Sequence, residues 1–151
     1  MTRYEFYVDG KPHGKDRPRF NTKTKQVFTP IETHRYEEHV WRAFLSQCSG
    51  YHTLRGPVSL DVTAVYTPAA DDPEALAKVA EGRPAYNATG RRTSKDGRIA
   101  DLDNVIKIIS DGVQGKAAAI ADDTQVVEIS SRSIYGPRQG VRVVITALTE
   151  E

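Results

Sequence analysis

Residues 101–115, DLDNVIKIISDGVQG, place apolar side chains at the three- and four-residue spacing of one helix face. The apolar positions are Leu102, Val105, Ile106, Ile109 and Val113. We therefore expect a helix that begins near Asp103 and is closed by Gly112 and Gly115. Because the apolar stripe buries this helix, the aspartates beside it lie close to the protein interior rather than far out in solvent.

The segments on either side of this helix alternate apolar and polar residues, which is typical of strands with one buried face. They are residues 4–8, 58–66, 126–134 and 141–148. A short further strand is expected at residues 26–28. The last two long segments are joined by the turn-forming residues 136–140, GPRQG, so we expect them to form a closing antiparallel hairpin.

A second main helix is expected to end near Gln47. Thr29-Pro30-Ile31-Glu32 has the pattern of a capping box, with Thr29 as N-cap and Pro30 at the first helical position. The expected buried positions are Tyr36, Val40, Ala43 and Phe44, and the expected solvent-facing ones are Arg35, Glu37 and Glu38. The fold class predicted is α+β, with a small mixed β-sheet, two main helices and the closing hairpin.

The composition favours one domain over residues 1–151. The chain has 151 residues, of which 38% are apolar, and no apolar run approaches the roughly 20 residues that a membrane span needs. Its one cysteine, Cys48, has no partner for an internal disulfide, which suits a reducing cytoplasm. A long basic loop is expected at about 69–98, with a short helix over residues 73–81 capped by Asp71 or Asp72.

The charge of the chain is nearly balanced, with 21 basic and 20 acidic residues, but the two signs are segregated. Residues 11–25 contain six basic residues against Asp16, and residues 83–98 contain five against Asp96. Between residues 101 and 123 there are instead five aspartates and two lysines. Two basic segments that frame an acidic one are expected where phosphates are held near metal-binding carboxylates.

The strongest chemical signal is ADLDNVIK at residues 100–107 followed by ADDTQV at residues 121–126. Asp103 and Lys107 are four residues apart and share a helix face, and the loop before a strand brings Asp122 and Asp123 to the same region. Crowded carboxylates resist ionisation unless a cation compensates them. Oxygen ligands of this kind suit Mg²⁺ or Mn²⁺. Each motif also has a structural interpretation, as a helix cap, a surface ion pair or a turn.

These residues resemble the RusA-type Holliday junction resolvases, endonucleases common in prophages. The resemblance covers Asp-Leu-Asp-Asn-Val-Ile-Lys, the later Asp-Gly and Asp-Asp-Thr-Gln-Val, together with a Gly-Lys-Pro and Arg-Pro-Arg-Phe loop near the N-terminus. It implies catalytic metal ligation by Asp101, Asp103 and Asp123, with Asp122 beside them, and Lys107 as the essential basic residue. It also implies Mg²⁺, for which Mn²⁺ can substitute, a four-way DNA junction as substrate in recombination and repair, and a homodimer.

Three basic residues of the N-terminal loop are expected to contact DNA phosphates: Lys15, Arg17 and Arg19. Trp41 is a candidate contact of the dimer or of the core, and His34 and His39 are expected to face solvent. Two alternatives to a nuclease stay open at this point. One is a DNA-binding protein without catalysis, and the other is a DxDx(T/V) aspartyl phosphatase, in which the first aspartate ends a buried strand.

Overall fold

The elements of the chain are described by a computed structural model for residues 1–15, 19–28, 30–87 and 97–150, with the backbone alone at residues 19–20 and 26–28. The strands are β1 (Arg3–Asp9), β2 (Arg19–Asn21), β3 (Gln26–Phe28), β4 (Val58–Tyr66), β5 (Val126–Tyr135) and β6 (Gly140–Ala147). The helices are α1 (Ile31–Gln47), α2 (Pro73–Ala80) and α3 (Leu102–Gly112), and a 3₁₀ turn spans Asp123–Gln125. None of the described helices has the length and apolar character of a membrane span.

The main sheet has four strands in the order β1-β6-β4-β5. Strand β6 is antiparallel to both β1 and β4, whereas β5 is parallel to β4. Strands β2 and β3 form a separate antiparallel pair. This single small domain with a mixed sheet confirms the α+β class predicted from the sequence.

The two closing strands, β5 and β6, run in opposite directions and are joined by a short turn, as expected. They lie on either side of β4 and are not hydrogen-bonded to each other. The turn residues at 136–139 specify the reversal of the chain. The strand with which β5 and β6 each pair is determined instead by contacts between residues distant in sequence. Strands β6 and β4 take the two inner positions, and their burial agrees with this, since six of eight residues in β6 and six of nine in β4 are buried.

One face of the sheet carries the core and both long helices. Tyr4, Phe6 and Val8 of β1 point to this face, and Phe44 of α1 packs edge-on against the rings of Tyr4 and Phe6 at centroid distances of 5.4 and 5.6 Å. Helix α3 contacts α1, β4 and β5 from the same side. Its buried residues are Val105, Ile108, Ile109 and Gly112.

Helix boundaries follow the sequence with local differences. Asp72 caps α2, and its carboxylate accepts a hydrogen bond from the amide of Ala75 at 3.2 Å, as expected. Helix α1 begins at Ile31, so Pro30 is the N-cap residue and not the first helical residue. The fixed φ of proline suits either position, since Pro30 has φ −56° but an extended ψ of 143°. The predicted cap residue Thr29 lies outside the described residues.

The α1–α3 contact is closest at Gly112, where any side chain would collide with α1. A Cβ atom at Gly112 would lie 2.7 Å from Cβ of Val40 and 3.1 Å from the carbonyl oxygen of Glu37. Val40 is fully buried, so neither helix has room to give way locally. The absence of a side chain at residue 112 therefore sets the spacing of the two helices.

We expect Gly112→Ala to destabilise the protein by about 1–3 kcal/mol, the usual cost of overpacking a filled core. This cost exceeds the gain of about 1 kcal/mol that alanine brings in helix propensity. The measurement is urea unfolding followed by circular dichroism. Ser46→Ala, at an exposed position of α1, is the control and should leave the unfolding midpoint unchanged or slightly higher. A Gly112→Ala protein as stable as the parent would show that the contact is not tight.

Candidate active site

A cleft of about 410 Å³ lies between α3 and the start of β5. Its polar lining residues are Lys15, Lys107, Ser110, Asp111 and Asp123, and its apolar ones are Ile106, Val126 and Ile129. The structure therefore brings together three residues singled out in the sequence, Lys15, Lys107 and Asp123. It adds Asp111, which the sequence analysis did not assign to the site.

Asp123 is the first residue of the 3₁₀ turn, which is held by a complete capping box. The Asp122 carboxylate accepts from the amide of Thr124 at 2.9 Å, and Oε1 of Gln125 accepts from the amide of Asp122 at 2.9 Å. Gln125 also donates through Nε2 to the carbonyl oxygens of Leu54 and Gly56, at 2.9 and 2.8 Å. Asp122 thus has a capping role, while Asp123 lines the cleft.

Gln114, two residues beyond α3, connects Asp123 to the end of that helix. Its Oε1 accepts from the backbone amide of Asp123 at 2.8 Å, and its Nε2 donates to Oδ1 of Asp111 at 3.1 Å. The backbone position of Asp123 is therefore tied to a carboxylate in the last turn of α3.

Lys15 connects the N-terminal loop to both long helices. Its ammonium group donates to Oδ2 of Asp111 and lies 3.9 Å from Oε1 of Glu37. Its backbone amide donates to the carbonyl oxygen of Asn104 at 3.0 Å. Glu37, expected to face solvent, is instead half-buried because it lies beside this ammonium group.

The electrostatics of the cleft reflect crowded acidic groups. Desolvation is the largest cause that raises the pKa of Asp123 above its ordinary value, and the neighbouring carboxylates of Asp122 and Asp111 raise it further, while Lys15 opposes them. Desolvation also raises the pKa of Glu37. The hydrogen bond to Asp111 raises the pKa of Lys15, which keeps this lysine charged.

Asp101 lines a neighbouring cleft of about 430 Å³ rather than the first one. This second cleft is bounded by residues 11–15, residues 98–101 and Asn104, so Lys15 lies on the border of both. Asp101 holds the N-cap position of α3, yet its side chain makes no capping hydrogen bond. Capping therefore does not account for the Asp101 carboxylate.

Asp101 and Asp103 are exposed, so the expectation that the aspartates beside α3 lie close to the protein interior is wrong for both. Asp103 and Lys107 are both exposed on α3, one turn apart. No ion pair in the described part of the chain joins them, so the interpretation as a surface ion pair is not realised in this structure. Across residues 1–15, 19–28, 30–87 and 97–150, no three His, Cys, Asp or Glu side chains are close enough together to hold a metal ion. The metal cluster of Asp101, Asp103, Asp122 and Asp123 stays a prediction.

The other predicted site residues are placed only in part. Arg17 lies outside the described residues, and Arg19 opens β2 without a described side chain. The indole N–H of Trp41 donates to the carbonyl oxygen of Ala117 at 2.7 Å, and the residue is partly exposed, so a dimer contact through Trp41 stays a prediction. His34 and His39 are exposed, as expected.

Asp111 belongs to the Asp-Gly pair that carries part of the resemblance, but neither Asp111 nor Ser110 was assigned a role. The signal was present in the spacing, since Asp111 lies four residues after Lys107 and therefore on a neighbouring part of the same helix surface. The role of Glu37 had no such signal, because its partner Lys15 is 22 positions earlier in the sequence and reaches it only through the tertiary fold.

Comparison with known proteins shows the family to which the chain belongs. A search of the curated proteins finds no match to the chain. The family model described as Endodeoxyribonuclease RusA matches residues 9–146, which include every element from α1 to α3, the 3₁₀ turn and β5. Because this match spans nearly the whole chain, the protein belongs to the RusA endodeoxyribonuclease family.

Proposed function

We propose that this protein is a Mg²⁺-dependent endonuclease that resolves four-way DNA junctions by paired phosphodiester cleavage, in recombination and repair. The observation that carries the proposal is the cleft between α3 and β5, in which Lys107 and Asp123 face a common space. Asp101 lines the neighbouring cleft, and Asp103 is exposed on the first turn of α3. Membership of an endodeoxyribonuclease family supports phosphodiester cleavage as the chemistry of that cleft.

The residues proposed to hold the metal are Asp101, Asp103 and Asp123, with Asp122 beside them. They fit Mg²⁺ in donor type, since carboxylate oxygens are its preferred protein ligands and Mn²⁺ accepts the same donors. The raised pKa of Asp123 also fits, because desolvation and repulsion from Asp122 and Asp111 disfavour the charged carboxylate, and a bound cation offsets both effects. When bound, Mg²⁺ supplies Lewis acidity that polarises the phosphate and activates water for attack.

The protein side chains have separate tasks in this mechanism. Lys107 is a cation on the same cleft as Asp123, so it stabilises the negative charge that develops on the phosphate oxygens. The capping box and Gln114 fix the backbone of Asp123, so this residue is held at the cleft before DNA binds. Ile106, Val126 and Ile129 form the apolar side of the same cleft.

The DNA strand is proposed to enter along the N-terminal loop. Arg17 and Arg19 follow Lys15 in the sequence and would contact phosphates as guanidinium groups. A phosphate contact by Lys15 itself stays a prediction, since its ammonium group is hydrogen-bonded to Asp111. Phosphate contacts fix the register of the DNA without reading its sequence.

The phosphatase alternative is disfavoured by the position of Asp101. In that class the first aspartate ends a buried strand, whereas Asp101 directly precedes α3 and residues 97–100 contribute no strand to the described sheet. A DNA-binding protein without catalysis would have no use for Lys107 and Asp123 on a shared cleft. The variants described next separate that alternative from a nuclease.

We expect Asp123→Asn to lower the rate of junction cleavage by at least about 100-fold, because loss of an outer partner of a metal ligand already costs 10–100-fold. Asp101→Asn and Asp103→Asn should behave alike, and all three variants should still bind the junction. The measurement is cleavage of a labelled four-way junction at saturating Mg²⁺, with binding measured in chelator.

Asp122→Asn provides the comparison, since asparagine caps a turn as well as aspartate and should retain cleavage within about two-fold. Circular dichroism confirms the fold of each variant. Equal losses in Asp122→Asn and Asp123→Asn would contradict the separate roles, and normal cleavage by Asp123→Asn would remove it from the metal site.

We also propose that the protein acts as a homodimer, because a junction has two equivalent strands to cut. The edge of β5 supplies a surface for it. In the described part of the chain, the one strand partner of β5 is β4, and residues 85–87 cover the second half of the other edge. Val127 and Ile129, in the first half, are 60% and 56% exposed, which is unusual for large apolar side chains on a strand.

Light scattering at micromolar concentration should therefore give about twice the 16.8 kDa mass of the chain. Val127→Asp should return the mass to that of one chain, because it puts a charge into the proposed contact. Ile31→Asp is the matched control, since Ile31 is an exposed apolar residue at the start of α1, which packs on β1 at the opposite edge of the sheet, and should leave the dimer intact. A parent protein that stays monomeric would contradict the proposal.

A further inference from the structure

An unbroken series of hydrogen bonds runs from the N-terminal loop to the proposed ligand Asp123. The Lys15 ammonium donates to Oδ2 of Asp111, and Gln114 donates through Nε2 to Oδ1 of the same carboxylate at 3.1 Å. Oε1 of Gln114 then accepts from the amide of Asp123 at 2.8 Å. Both oxygens of Asp111 are therefore used by donors from the protein.

The three connected segments are distant in sequence or separated by a bend. Lys15 belongs to the loop after β1, Asp111 to the last turn of α3, and Asp123 to the 3₁₀ turn before β5. The Lys15 side chain contacts Asp111 in the last turn of α3. The Lys15 backbone contacts the opposite end of this helix, where its amide donates to the carbonyl oxygen of Asn104. The distance from Asn104 to Asp111 is about 10 Å along a helix that rises 1.5 Å per residue.

Gly14 permits this close course of the loop along α3. A Cβ atom on Gly14 would lie 3.2 Å from Cβ of Asn104 and 3.3 Å from Cβ of Ala100, tighter than ordinary van der Waals contact. The loop therefore lies directly on the first turn of the helix, and the Lys15 side chain continues toward the last turn.

We propose that Asp111 is a positioning residue of the active site, which fixes Asp123 through Gln114 and fixes the start of the basic loop through Lys15. The effect on cleavage rests on the proposed nuclease function, whereas the effect on structure does not. Asp111 differs from the aspartates assigned to the metal because Lys15 and Gln114 already occupy its two oxygens. A cation bound to Asp111 would have to displace one of them.

The proposal links two parts of the reaction that are otherwise separate. The loop that begins at Lys15 carries the proposed phosphate contacts Arg17 and Arg19, and Asp123 is a proposed ligand beside the reacting phosphate. The Asp111 carboxylate at the end of α3 therefore sets the position of the DNA relative to the proposed metal ligand Asp123. Misplacement of a reacting group by about 1 Å can cost about 100-fold in rate, so this link matters for catalysis.

The test uses three variants of the full chain that break the series at different points. Asp111→Ala removes both connections. Asp111→Asn keeps an oxygen for Gln114 but loses the charge that holds Lys15. Gln114→Leu removes only the connection to Asp123. Glu38→Ala, which breaks an exposed ion pair with Arg42 on α1, is the matched control.

The direct measurement is hydrogen exchange of the Lys15 and Asp123 backbone amides by NMR spectroscopy. Asp111→Ala should speed exchange at both amides by at least ten-fold, Asp111→Asn mainly at Lys15, and Gln114→Leu mainly at Asp123. Glu38→Ala should change neither amide. Because the two milder variants give opposite patterns, the result stands even if Asp111→Ala fails to fold.

The kinetic measurement is single-turnover cleavage of a four-way junction at saturating DNA and Mg²⁺. Asp111→Ala and Gln114→Leu should each lower the rate by about 10–100-fold, with the Mg²⁺ concentration for half-maximal rate unchanged within two-fold. The double variant should be no slower than the slower single variant, because both break one series.

Two results would overturn the proposal. A higher Mg²⁺ requirement in Asp111→Ala with normal exchange at Asp123 would make Asp111 a metal ligand, and multiplied losses in the double variant would show independent roles. A parent protein that cleaves no branched DNA would count against the proposed function alone. The exchange pattern at the two amides would then decide whether Asp111 positions these segments.

Discussion

The close contact between α3 and α1 at Gly112 is the constraint on which the geometry of the site depends. Val105, Ile108 and Ile109 face the core, and the spacing at Gly112 fixes how deeply they enter it. With the rotation of α3 set in this way, Lys107 and Asp111 are directed to the cleft beside β5. The packing of apolar residues on one side of a helix therefore determines where its charged residues meet.

The five aspartates between residues 101 and 123 have distinct environments although they are similar in sequence. Asp122 caps the 3₁₀ turn, and Asp111 is hydrogen-bonded to Lys15 and Gln114. Asp101 has no capping bond, Asp103 is exposed on the first turn of α3, and Asp123 lines the cleft with a raised pKa. The protein thus uses two of its carboxylates to hold the framework, and the other three are those that the RusA resemblance assigned to the metal.

The sequence was sufficient to predict the features that depend on local pattern. The apolar stripe located α3 to within one residue at its start, alternation located β4, and Asp72 was among the two expected caps of α2. The insertion of β4 between β5 and β6 could not be predicted, because pairing of strands distant in sequence depends on the competition among all the strands. The contacts of Lys15 with Asp111 and Glu37 were hidden for the same reason, since a basic loop has no sequence signal for the carboxylates it reaches.

The activity proposed for the cleft between α3 and β5 is cleavage of branched DNA with the help of a divalent metal. The most direct measurement mixes the purified full chain with a synthetic four-way junction or a linear duplex of matched sequence, in Mg²⁺ or in chelator. We expect the protein to cut two opposing strands of the junction in Mg²⁺, to make no cuts in chelator, and to leave the duplex intact in both. Cleavage that persists in chelator, or tight binding of the junction without cleavage in Mg²⁺, would contradict this expectation.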